Sequence, residues 1–250
     1  VFASLCCFTT QAQTTVEEWT FDGANPETGI NGTIQSVWTT AAPNSVPSAG
    51  VLRFATVGDA DYGNANLLAD INTSNIASMT WTIVVTDLYI QAGETIRFTS
   101  ITTGTGIPEV EFTSWGSNPG VNDNFSPDIE YNGNTDDLDV TVTSLNGSPL
   151  GGPLTMVATW DFVNNTMSFE TSGAVVASGS KSTASDLSDT IGTITGFRVR
   201  GGGANSWMNL DKVTIETVET VAAPTWTGAT DSDWATASNW STNTVPTATD

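Results

Sequence analysis

Across 250 residues, 27 Asp and Glu stand against 6 Lys and Arg, which sets the net charge at -21 and the isoelectric point near 4.1. So few cations exclude tracking of a nucleic-acid backbone by counterion release, and an anionic membrane surface would repel the chain. The chain has no histidine, which removes the usual base at neutral pH, any Ser-His-Asp triad and imidazole metal sites.

Residues 1–13, "VFASLCCFTTQAQ", are an apolar run closing on small and polar residues, and read as the tail of a secretory signal peptide rather than a first core strand. This predicts an exported protein, secreted or held at the cell surface. The two cysteines, Cys6 and Cys7, both lie in that run, so the mature protein is expected to lack disulfides, thiolate metal sites and cysteine nucleophiles. No later segment approaches the roughly 18 consecutive apolar residues of a membrane span, and no membrane insertion is predicted.

From about Glu17 to Glu219, short runs of β-branched and aromatic residues alternate with Gly, Asn, Asp and Pro, while helical periodicity is nearly absent. About thirteen such runs suit an all-β fold of two packed antiparallel sheets over residues 17–219. "WDFVNNTMSFETSGAVVASGS" (160–180) reads as a β-meander with an Asn-Asn turn and a Ser-Gly turn. "GDADYGNAN" (58–66) reads as a polar loop, either a binding loop or a plain turn cluster.

Strand alternation sorts the side chains. Trp81 and Trp160 fall in phase with Met79 and Ile83, and with Met156, Ala158 and Phe162, as core; Trp38 and Trp207 sit at strand ends and stay unassigned. In "PEVEFTSW", Val110 and Phe112 point one way, and Glu109, Glu111, Thr113 and Trp115 the other. A tryptophan ring beside carboxylates suits sugar recognition, with ring C–H groups stacked on the π-face and acids accepting hydroxyl hydrogen bonds. "IRF" and "GFRVRG" likewise turn Arg97, Arg198 and Arg200 away from the core; these are three of the four arginines. They either recognise an acidic sugar substituent or pair with surface acids.

Catalysis needs two carboxylates facing one cleft, and Glu109 with Glu111 is the best pair. Neither "EVEFTSW" nor "DIEYNGNTDDLD" carries an E-x-D-x-x-E phrase, and the chain has no histidine, so it is read as non-catalytic in preference. Calcium is the expected cofactor because it takes six to eight oxygen ligands from loops. "NDNFSPDIEYNGNTDD" supplies Asp123 and Asp128 among its acids; a solvated acidic loop is the alternative.

"LTMVATWDFVNNTMSFETSGAVVA" resembles laminin G-like and concanavalin A-like jelly rolls, and "ITGFRVRGGGANSWMNLDKVTIETV" resembles the closing strands of carbohydrate-binding jelly rolls. The resemblance implies a two-sheet β-sandwich, an extracellular polysaccharide or glycan as partner, and a structural calcium between the first strand and the final "LD" phrase, at Asp22 and Asp211. A spacer domain in an adhesin and a divergent glycosidase or lyase stay open as other roles. After a linker at 220–225, residues 226–250 are similar to the opening of repeat modules in large surface proteins of Bacteroidetes-type bacteria, carried by Trp226, Gly228, Trp234, Asn239, Trp240, Pro246 and Asp250. That likeness predicts a partial β module whose three tryptophans find their partners beyond Asp250, in a longer surface protein.

Overall fold

The computed structural model describes residues 13–20, 38–40, 45–48, 51–57, 60–91, 93–115, 124–131, 136–139, 143–144, 148–183, 186–202, 204–220, 224–241, 243 and 245–246. The strands in chain order are β1 (Thr14–Thr20), β2 (Trp38–Thr40), β3 (Ser45–Ser48), β4 (Val51–Val57), β5 (Ala60–Asn72), β6 (Ile76–Tyr89), β7 (Thr95–Thr102) and β8 (Glu109–Trp115). They continue as β9 (Asn124–Tyr131), β10 (Asp136–Asp139), β11 (Thr143–Ser144), β12 (Leu154–Asp161), β13 (Thr166–Gly173), β14 (Ala177–Ser182), β15 (Thr193–Gly202) and β16 (Ala204–Glu219).

Two antiparallel sheets form. The first runs β14-β13-β12-β6-β16-β4-β3, with β1 also on β16; the second runs β10-β9-β8-β7-β15-β5-β2, with β11 also on β9. The fold is therefore an all-β, two-sheet antiparallel sandwich of the jelly-roll kind. Among the described residues no helix is long and apolar enough to cross a membrane.

The core lies where the alternation of β6, β12, β7 and β15 turns inward. Trp81 and Trp160 from the first sheet and Phe98 and Phe197 from the second are each at most 1% exposed. Their rings interlock, with centroids 4.5 Å apart for Trp81 and Trp160, 4.9 Å for Trp81 and Phe197, and 5.6 Å for the stacked Phe98 and Phe197. Burying each such side chain is worth about 2–3 kcal/mol, and edge-on aromatic pairs add about 0.5–1.5 kcal/mol. The second sheet is thereby fixed against the first, and its polar face must point away from the core.

The predicted meander is β12-β13-β14. At its first turn Asp161 Oδ1 accepts hydrogen bonds from the amides of Val163 (3.0 Å) and Asn164 (2.9 Å), and Asn165 takes φ 52°. At the second, Gly173 has φ 99°, and a Cβ there would collide with the Pro153 carbonyl oxygen. Two sequence expectations need correction. Within "GDADYGNAN", residues 60–66 are not a loop but begin β5 and pair with β15 on one side and β2 on the other, while residues 58–59 lie outside the described residues; sheet pairing overrides the poor strand propensity of Asp, Gly and Asn. A short helix, α1 (Leu187–Ile191), is also present, with Leu187 and Ile191 buried and Asp186 as its N-cap.

In the C-terminal stretch the three tryptophans, Trp226, Trp234 and Trp240, whose partners were expected beyond Asp250, pack on one another. Trp226 and Trp240 also form an isolated antiparallel bridge. A local turn held by side-chain hydrogen bonds brings the three rings together.

Candidate functional site

The second sheet gathers the polar residues singled out from sequence. Ile96 and Phe98 of β7, Val110 and Phe112 of β8, and Phe197 and Val199 of β15 are all at most 1% exposed and face the core. The alternate positions, Arg97, Thr99, Glu109, Glu111, Thr113, Arg198 and Arg200, therefore share the outer face. Register sets them side by side. Arg97 is the Cα partner of Glu111 across β7-β8 and of Arg200 across β7-β15, while Thr99 is the partner of Glu109 and of Arg198.

The side chains then connect. The Arg97 guanidinium contacts the carboxylates of both Glu111 and Glu109, the second at 3.5 Å from Nε. Thr99 Oγ1 donates to Glu109 Oε2 at 2.5 Å, and Thr113 Oγ1 donates to Glu111 Oε2 at 3.1 Å. Although they point away from the core, Glu109 and Glu111 are only 7% and 4% exposed. They were expected on an open polar face; instead they form its floor, with Arg97, about a third exposed (34%), above them. Burying two carboxylates is tolerable here because one cation and two hydroxyls compensate them.

Charge is unevenly distributed. Arg97, Arg198 and Arg200 are three of the chain's six cationic residues, on two adjacent strands of a molecule with net charge -21. On the other side the register turns acidic: Asp128 of β9 is the partner of Glu111 and of Asp139, and Glu130 the partner of Glu109 and of Asp137.

Thr99 and Thr113 were not singled out as site residues from sequence. Their signal was available, because Thr99 lies two residues beyond Arg97 and Thr113 two beyond Glu111 on the same face. Trp115 ends β8 opposite Asn124; its side chain lies outside the described residues. Trp207, unassigned from sequence, sits elsewhere, on the first sheet, under the Arg53 guanidinium (4.3 Å to the ring centroid) and near Tyr89 (6.4 Å).

Of the calcium candidates, Asp22 and Asp123 lie outside the described residues, and Asp128 is placed by its backbone alone. Asp211 is half-buried in β16 where the register with β6 shifts between Leu210 and Lys212. Among the described residues no group of three or more His, Cys, Asp or Glu side chains is arranged to hold a metal ion.

No protein-family model matches the chain, and no curated protein matches it. Solved structures do. The CBM2 module of the evolved Dit protein of Lactobacillus casei BL23 phage J-1 superposes with a TM-score of 0.53 at 14% identity, over 86% of this chain and 100% of that one. The basic winged bean lectin solved with Tn-antigen gives 0.53 at 12% identity, over 84% and 100%. The Lotus tetragonolobus seed lectin gives 0.55 at 10% identity, again over 84% and 100%. At such identities the likeness establishes a shared sandwich fold.

Proposed function

We propose that this protein is an exported, non-catalytic carbohydrate-binding domain whose ligand lies across the outer face of the second sheet. The observation that carries the reading is the convergence of Arg97, Arg198, Arg200, Glu109 and Glu111 on adjacent positions of that face. The lectin and carbohydrate-binding-module fold of the neighbours supports it. Arg198 and Arg200 read an acidic substituent of an extracellular polysaccharide, while Arg97 holds Glu109 and Glu111 in place to accept sugar hydroxyls. Trp115, at the end of the same strand, supplies the stacking ring. Adhesion at the cell surface fits such a site, export follows from the signal-like residues 1–13, and calcium at Asp22 with Asp211 or at Asp123 with Asp128 would brace the loops.

The two carboxylates suit hydrolysis less well. Glycoside hydrolysis needs one acid and one base in contrasting environments, whereas Glu109 and Glu111 share one guanidinium and each has a threonine hydroxyl. The test is a glycan array followed by calorimetry. Uronate- or sulfate-bearing polysaccharides are expected to bind, and Arg198→Ala with Arg200→Ala to weaken them at least about tenfold, or 1.4 kcal/mol. Absence of glycan binding, or unchanged affinity in the double variant and in Trp115→Ala, would overturn the reading in favour of a spacer.

A further inference from the structure

We infer a second carbohydrate site, separate from the sheet face, built on Trp234 and selective for neutral pyranoses. Trp234 is 61% exposed, the largest side chain among the described exposed hydrophobics. Its ring is nonetheless held: stacked with Trp226 (centroids 5.5 Å apart, planes within 13°) and perpendicular to Trp240 (4.2 Å).

The backbone under the ring is pinned on both sides. Trp240 Nε1 donates to the Trp234 carbonyl at 3.0 Å. The fully buried Asn239 donates from Nδ2 to the Asp233 carbonyl at 2.9 Å and to Asp231 Oδ1 at 2.7 Å, and its Oδ1 accepts from the amides of Thr230 and Asp231. Asp233 Oδ1 in turn accepts from the Ala235 amide at 3.0 Å. Here the turn fixes the ring and leaves most of it in water, so the entropy cost of presenting an aromatic surface is met before any ligand arrives.

Charge selects the ligand. No Lys or Arg occurs from residue 213 to residue 250, while Asp231 and Asp233 lie on the same turn as Trp234. Uronates and sulfated sugars would be repelled and would find no cation. An uncharged pyranose presents an apolar C–H face to the ring and hydroxyls to the surrounding carboxylate and hydroxyl oxygens. The two sites would thus divide the work, with the arginine strip engaging acidic units and Trp234 neutral ones.

The test uses the full chain carrying Arg198→Ala and Arg200→Ala, which weaken the sheet site for acidic units, and Trp234 variants of that chain report on the second site. Neutral hexasaccharides (cello-, laminari-, manno- and xylohexaose) are titrated by calorimetry and tryptophan emission. At least one is expected to bind with Kd below about 1 mM. Trp234→Ala should weaken it at least about tenfold, and Trp234→Tyr, which keeps a ring, by about threefold or less. Near-UV circular dichroism of the Trp226 and Trp240 pair checks that Trp234→Ala keeps the turn. Failure of every neutral hexasaccharide to bind the double variant, or unchanged affinity in Trp234→Ala, overturns the second site. Loss of acidic-glycan binding in the double variant reports on the sheet site alone, so failure of either reading leaves the other standing.

Discussion

Replacing Arg97 with Met is the most direct challenge to the architecture of the sheet face. Methionine keeps most of the aliphatic stem and its packing but removes the charge that both Glu109 and Glu111 contact. Taking one partner from a fully buried ion pair costs about 3–5 kcal/mol because the other charge is left desolvated. Arg97 is about a third exposed, so water offsets part of that loss, and the expected cost at pH 7 is about 2–3 kcal/mol. For a domain of about 200 residues this lowers Tm by about 4–12 °C. Urea unfolding followed by the emission of the buried tryptophans supplies the free energy. Adding Glu109→Gln and Glu111→Gln to Arg97→Met should recover most of the loss at pH 7. A deficit below about 0.5 kcal/mol, or one that the glutamines do not relieve, would refute the claim that these acids form a desolvated, charge-compensated floor.

Asp186 offers a pH-linked test at the opposite scale. Its carboxylate accepts from the Ser188 hydroxyl and from the amides of Asp189 and Ser188, and these bonds, the Ser188 hydroxyl first, hold its pKa below the ordinary 3.8. The depressed folded value makes the cap's contribution full above pH 3.8, and lost as pH falls through the folded pKa. Asp186→Ala is therefore expected to cost about 0.5–1 kcal/mol at pH 7 and progressively less in acid, as read by urea midpoints across pH; a constant difference would count against the cap. Gly196→Ala places a Cβ 2.6 Å from the Ala65 carbonyl oxygen and 3.3 Å from Ile101 Cδ1, where β15 shifts register against both β5 and β7. It should cost about 2–3 kcal/mol and, by moving Arg198, weaken acidic-glycan binding. Neutral behaviour in urea would mean that the strands are paired differently there.

The parts of the fold that strand alternation controls could be read directly. Trp81, Trp160, Phe98 and Phe197 were placed inward from period-two patterning alone, and all four meet in the core. The turns that demand particular chemistry, Asp161 to Asn165 and Gly173, were equally visible. What failed was local reasoning where long-range pairing decides. The residues of "GDADYGNAN" have little preference for strand, but β15 and β2 supply partners on both sides, and no property of those nine residues announces that. Similarly, the mutual packing of the three tryptophans was not legible, because the Asn239 side chain that organises them acts through hydrogen bonds that no periodicity encodes.

The sheet face lies between these cases. Alternation assigned the three arginines and two glutamates to outward positions, yet a single strand cannot reveal which strands are neighbours. Only the order β8-β7-β15 brings Glu111, Arg97 and Arg200 into one row and Glu109, Thr99 and Arg198 into the next. That order also explains why acids on an outward face are buried: each sits beside a long guanidinium or a threonine rather than beside water. On the proposed carbohydrate-binding reading, a carboxylate already oriented by Arg97 and a hydroxyl has few remaining positions from which it can accept a hydrogen bond, so sugar hydroxyls would have to approach along defined directions. Selectivity among sugars that differ only in hydroxyl stereochemistry should accordingly depend on Arg97, Thr99 and Thr113 as much as on the glutamates themselves.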